Sequence, residues 1–175
     1  MALTYLSLDD VTREYMLKEF QSDLDCDNCY LSKRFNDFGN THFIEIMPQH
    51  IATGDDASLT EALKSNNCFK SHEERNKNGT ISMVKVPVTA AETFAEGEFN
   101  RFYIRAICLR ALTENRAIEV YRARASSSPR PESEALIGNT FDPKTLLQDL
   151  RDNKGVDTSF GLPAGPNSGL SIKII

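Results

Sequence analysis

The chain has no tryptophan, three histidines and four cysteines in 175 residues. So few cysteines exclude a disulfide-stapled scaffold. Its first residues, MALTYLSLDDVTREY, lack the basic start and long apolar stretch of a secretory signal, so we expect a reduced, cytoplasmic compartment. Glycine (9) and proline (7) are too scarce for a collagen-like or low-complexity chain. No apolar run nears the roughly 20 residues that cross a bilayer as a helix, so no membrane partner is expected. A phosphate-cradling glycine loop, G-x-S-x-G and H-E-x-x-H are all missing, which removes the P-loop, α/β-hydrolase and zincin chemistries. The net charge of −5 also lacks the positive excess needed to coat nucleic acid non-specifically.

What is present is the material of a packed core. Hydrophobic residues make up 40% and charged residues 26%, and Leu, Ile, Val and Phe reach about a quarter of the chain, above the disordered range. The charge is unevenly placed. Residues 1–30 hold Asp9, Asp10, Glu14, Glu19, Asp23, Asp25 and Asp27 against Arg13 and Lys18. Residues 101–130 hold Arg101, Arg105, Arg110, Arg116, Arg122, Arg124 and Arg130 against Glu114 and Glu119, without one lysine. Arginine suits planar, bidentate contact with carboxylate or phosphate. Two readings stay open: the acidic and basic stretches face each other within the fold or across subunits, or the arginines meet an external anionic partner.

Residues 8–24 carry apolar side chains at three- and four-residue intervals and predict an amphipathic helix. YLSKRF (30–35) reads as a short strand or extended segment, HFIEIM (42–47) as a strand closed by Pro48, and 54–66 as a short helix. The polar stretch 70–80 reads as a surface loop, and ISMVKV (81–86) alternates as a strand. The longest periodic segment, 89–114, predicts a central amphipathic helix with Phe99, Phe102, Tyr103, Ala106, Ile107, Cys108 and Leu109 inward and Arg101 and Arg105 opposite. Gly97 is a candidate break in it. AIEVYRAR (117–124) reads as a strand with Arg122 and Arg124 on one face, SSSPRPE (126–132) as a loop, and Asp142–Pro143 as the cap and first turn of a helix. The expected fold is α+β: a single domain over 1–153 with a small mixed sheet, then a Gly/Pro-rich arm over 154–175 ending in an apolar strand. That strand is expected to join a neighbouring subunit's sheet, its own sheet being the alternative.

Cys26-x-x-Cys29 with Cys68-x3-His72 supplies four ligands of the type that hold structural zinc, but the long gap between the halves is weak support, so no cofactor is assigned. Arg122, Ser126 to Ser128 and Glu132-x-Glu134 resemble, over a short stretch, the arginine, serine and glutamate set of ADP-ribosyltransferases. All three elements sit in one loop here, which can hardly clamp a dinucleotide from three sides. The resulting expectation is a non-catalytic binding or assembly protein, such as a component of a multi-protein or phage-like system. It uses an arginine-rich face (Arg101, Arg105, Arg122, Arg124, Arg130) for an acidic protein, an anionic ligand or nucleic acid, and its C-terminal arm for homo-oligomer contact. The alternative is an enzyme on a phosphate-bearing or nucleotide substrate, with Arg122, Arg124 and Arg130 as anion clamp and Glu132 or Glu134 as acid-base group.

Overall fold

The computed structural model describes residues 2–126, 128–155, 158–162 and 168–175; Ser127 of the serine cluster and parts of the Gly/Pro-rich arm lie outside them. In chain order the elements are α1 (Asp10–Asp25), α2 (Asp37–Thr53), α3 (Asp56–Ser65), β1 (His72–Lys77), β2 (Thr80–Lys85), α4 (Ala90–Glu114), β3 (Ile118–Arg122), α5 (Pro131–Leu136), β4 (Thr140–Phe141), α6 (Pro143–Asp152) and β5 (Leu170–Ile174). This is an α+β arrangement.

Helix starts follow local chemistry. The side chains of Asp9, Asn36, Asp55 and Asp142 each accept a hydrogen bond from a backbone N–H in the first turn of α1, α2, α3 and α6. Residues 42–47 are helical rather than extended. Asn36 caps Gly39, and Gly39, Phe43, Met47 and Ile51 recur every four residues as the buried face of α2, a periodicity hidden by the local alternation in HFIEIM. Pro48 stays inside this helix at the cost of one hydrogen bond to Ile44, which lies on the exposed side where water can take that bond's place. Residues 30–35 form no strand; only an isolated bridge joins Phe35 to Phe69.

Helix α4 runs unbroken through Gly97 and packs against α1, α3, α6 and β5. Residues 98–108 are therefore buried all round, with no solvent side for Arg101 and Arg105 to occupy. The helix is a core rod rather than an amphipathic one. Aromatic rings fill the joint with α1 and α2: Phe94 lies 4.7 Å from Phe35 and 5.1 Å from Phe43, and Phe20 lies 5.4 Å from Phe102, centroid to centroid.

Both sheets are antiparallel, where the sequence suggests a mixed one. The reason is connectivity: β3 reaches β4 through a tight return after α5, and its other edge is taken by β5 from the far end of the chain. The C-terminal strand thus closes its own sheet rather than a neighbour's. Leu170 and Ile172 bury against α4, and Asn100 of α4 pins the strand, its amide donating to the Leu170 carbonyl at 2.8 Å and its Oδ1 accepting from Ser171 Oγ at 2.7 Å. The N-terminal segment straps across the same region: Thr4 N–H donates to Ala123 O at 2.9 Å, Leu3 N–H to the Asp56 carboxylate, and Ser7 N–H to Tyr103 Oη. Residues 131 and 132, expected in a loop, begin α5, with Pro131 at its first position.

Candidate interaction surface

Of the five arginines expected on a binding face, two are consumed inside the fold. Arg105 is 1% exposed. It reaches α1, donating from Nε to Glu19 at 2.7 Å and from its two terminal nitrogens to Asp23 at 2.6 and 2.9 Å. Arg101, also buried, pairs with Glu98 and donates to the carbonyls of Leu150 and Asn153. Arg110 grips Asp9. The internal reading of the charge asymmetry therefore holds for Arg105 and Arg110, which meet Glu19, Asp23 and Asp9. Arg101 is satisfied instead by Glu98 of its own helix and by carbonyls at the end of α6. Arg122 pairs with Glu134 of α5 and donates to Ser168 O, while Arg124 pairs with Glu96 of α4. Arg130, the N-cap of α5, and Glu132 are exposed. Within the proposed clamp the structure brings Arg122 to Glu134.

The internal charges are strongly tuned. Burial pushes Glu98 up despite Arg101 beside it. Burial likewise raises Asp56 to about 6 even though it accepts the Leu3 N–H. For Glu19 the hydrogen bonds from Arg151 and Arg105 outweigh burial and hold the carboxyl below its usual range. Cys29 is pushed up to about 11 by burial and by Glu98, so its thiol is protonated and a poor nucleophile at neutral pH.

The four potential zinc ligands are scattered in character. Cys26 is exposed, Cys29 half-buried, Cys68 buried in the core, and His72 exposed on β1. Among the described residues no three His, Cys, Asp or Glu side chains converge on a common point. Cys108 is buried as its helical setting predicts, and burial raises its thiol.

The feature that sequence reading misses is a projecting ribbon. Residues 72–77, expected in a surface loop, pair with Thr80–Lys85 in the register His72 to Lys85 through Lys77 to Thr80. The signal was available: Asn78 and Gly79 both take positive φ, 52° and 84°, as a two-residue hairpin turn demands. At its root Arg34 forks onto Glu73 at 2.8 and 2.9 Å, and Val86 N–H donates to Ser71 O at 3.0 Å. Beyond that root almost every residue is exposed, including Ile81 (66%) and Met83 (62%) on one face. Among the described residues this sheet has two strands, and both its long edges are open.

Alternation fixes what β2 presents outward. The Val86–Ser71 bond and the closing Lys77–Thr80 pair place Thr80, Ser82 and Val84 in the ladder with β1. The backbone N–H and C=O groups of Ile81, Met83 and Lys85 point the other way. From Thr80 to Val84 this edge carries neither charge nor proline, the two devices that usually blunt an open edge. Beside the ribbon's base lies a groove of about 240 Å³, lined by Leu63, Phe69, Val86, Pro87, Val88 and Ala91 among others; Val88 is 92% exposed. Compared with known proteins, the chain matches no family model, no curated protein and no solved structure.

Proposed function

We propose that this protein is a non-catalytic assembly protein whose subunits join through the β1–β2 ribbon. The observation that carries the reading is the open, uncharged edge of β2 beside the exposed Ile81 and Met83. A two-stranded ribbon is marginal in water by itself, and strand addition is the change that relieves both the open backbone and the exposed side chains. The subunit contact thereby moves from the C-terminal arm, which closes its own sheet, to the ribbon.

The enzyme alternative draws on the contact of Arg122 with Glu134. That pair satisfies the arginine and the carboxylate with each other, which leaves the ribbon reading ahead. The test is native mass measurement of the wild-type chain and of Met83→Pro. Met83 N–H points away from β1, so proline there removes an outward donor without breaking the ribbon's own ladder. The wild type is expected at a multiple of the 19.6 kDa chain mass, and Met83→Pro at the single-chain mass with unchanged helical circular dichroism. A monomeric wild type, or an assembly indifferent to Met83→Pro, overturns the reading.

A further inference from the structure

We infer that the occupant of the β2 edge is a second copy of this chain, added antiparallel with a two-fold axis at Ser82. The inference rests on the assembly reading above and gives it a geometry. The two edges of the ribbon differ in their capacity to meet themselves. A two-fold antiparallel pair sets its central residue against its own copy. On β1 the centres are Glu73, Glu74 and Arg75, so each of those registers opposes like charges across the axis, and moving the centre to Asn76 sets Arg75 against the partner's Lys77. β1 is closed to itself by charge in each register centred on residues 73 to 76.

β2 has no such bar. With Ser82 on the axis, Ile81 faces the partner's Met83 and Met83 the partner's Ile81, both through residues whose backbone groups point outward. Thr80 faces the partner's Val84, and the five uncharged residues Thr80–Val84 are paired throughout. Lys85, the one charge on this strand, falls opposite the partner's Gly79, which has no side chain to oppose it. Centring one residue later, at Met83, sets Lys85 against the partner's Ile81 twice. The Ser82 register also carries the partner's Asn78–Gly79 turn alongside Val86, toward the groove lined by Val86, Pro87 and the exposed Val88. Two marginal ribbons become one four-stranded sheet.

The register is read directly by cysteine crosslinking in a Cys26→Ser background, which removes the exposed native thiol. Ser82 and its copy form a pair without mutual hydrogen bonds, where Cα atoms lie about 4.5 Å apart, within reach of a disulfide. Under mild oxidation Ser82→Cys is expected to give covalent dimer at least tenfold faster than Thr80→Cys or Met83→Cys. Ser82→Ala should keep the native mass of the wild type. If the wild type assembles and Met83→Pro dissociates it, yet Ser82→Cys crosslinks no faster than the other two, the two-fold register is wrong while the assembly reading stands. Faster crosslinking by Met83→Cys shifts the axis and equally overturns the register. A chain that is monomeric in native mass measurement removes the assembly reading and this geometry with it.

Discussion

Arg105 of α4 donates from Nε to Oε2 of Glu19 on α1 at 2.7 Å, with both side chains buried. Arg151 of α6 forks onto both oxygens of the same carboxylate, so three helices meet on one charge. Removing Arg105 leaves Asp23 without its partner and Glu19 with only Arg151. Arg105→Leu should therefore cost about 3–5 kcal/mol in urea unfolding. Arg105→Lys keeps the charge but cannot fork across both acids, and should fall between the two. A loss under about 1 kcal/mol for Arg105→Leu would show that the helices do not depend on this contact.

Asp56 gives a pH signature of the opposite sign to Glu19. Burial raises Asp56 from the ordinary value of 3.8 to about 6, so between these limits the folded chain binds more protons than the unfolded one. Its contribution to stability is present at the acid end and lost as pH rises through about 6. Asp56→Asn can still accept from Leu3 N–H but carries no charge to desolvate. It should melt above wild type at pH 7.5, with the gap closing by pH 4. Glu19, held low mainly by its arginines against burial, contributes stability above its ordinary range that is lost as pH falls below it. A melting difference for Asp56→Asn that does not change with pH would refute the assignment.

Much of this fold is legible in the sequence wherever one periodicity and one cap coincide. The Asp142–Pro143 start of α6 and the β3 alternation are such places. The periodicity of residues 8–24 does mark a helix, but the buried face of α1 is Thr12, Met16, Glu19, Phe20 and Asp23, and Val11 is exposed. Legibility fails where two signals compete. In α2 the alternation of HFIEIM and the following Pro48 mask the four-residue spacing that buries Phe43 and Met47. In α4 an i, i+4 arginine pair looks like a wet face, and only the tertiary surroundings show that α1 supplies acids to meet Arg105. The ribbon is the costliest miss, because the polarity of HEERNK outweighs the Asn78–Gly79 turn that marks a hairpin.

Asn100 offers a test of how β5 is held. Asn100→Leu leaves the Leu170 carbonyl and Ser171 hydroxyl buried without their partner. The cost should be about 1–3 kcal/mol, accompanied by faster amide exchange in β5 and on the facing edge of β3. Unchanged exchange across 170–174 would mean that the ladder with β3 and apolar burial hold the strand without Asn100.

Two glycines should respond in opposite directions to alanine. A Cβ on Gly39 would sit 2.3 Å from the Cys68 carbonyl oxygen, a backbone atom, so Gly39→Ala must push α2 away from the 66–69 turn and lower the melting temperature. A Cβ on Gly97 meets nothing within 4 Å, and alanine there should add about 0.5–1 kcal/mol to the stability of α4. Equal responses from the two would contradict the close approach at Gly39.

The pairing of β3 with β5 also sets an order of events in folding. The contacts that α1 to α4 make with one another need nothing beyond Glu114 and can form before β5 is present. β3 cannot be covered on its far edge until residues 170–174 arrive, some fifty positions later in the chain. During synthesis Val120 and Ile118 therefore wait beside a folded bundle with one strand edge bare, an interval in which a chaperone or a neighbouring nascent chain could take the place reserved for β5.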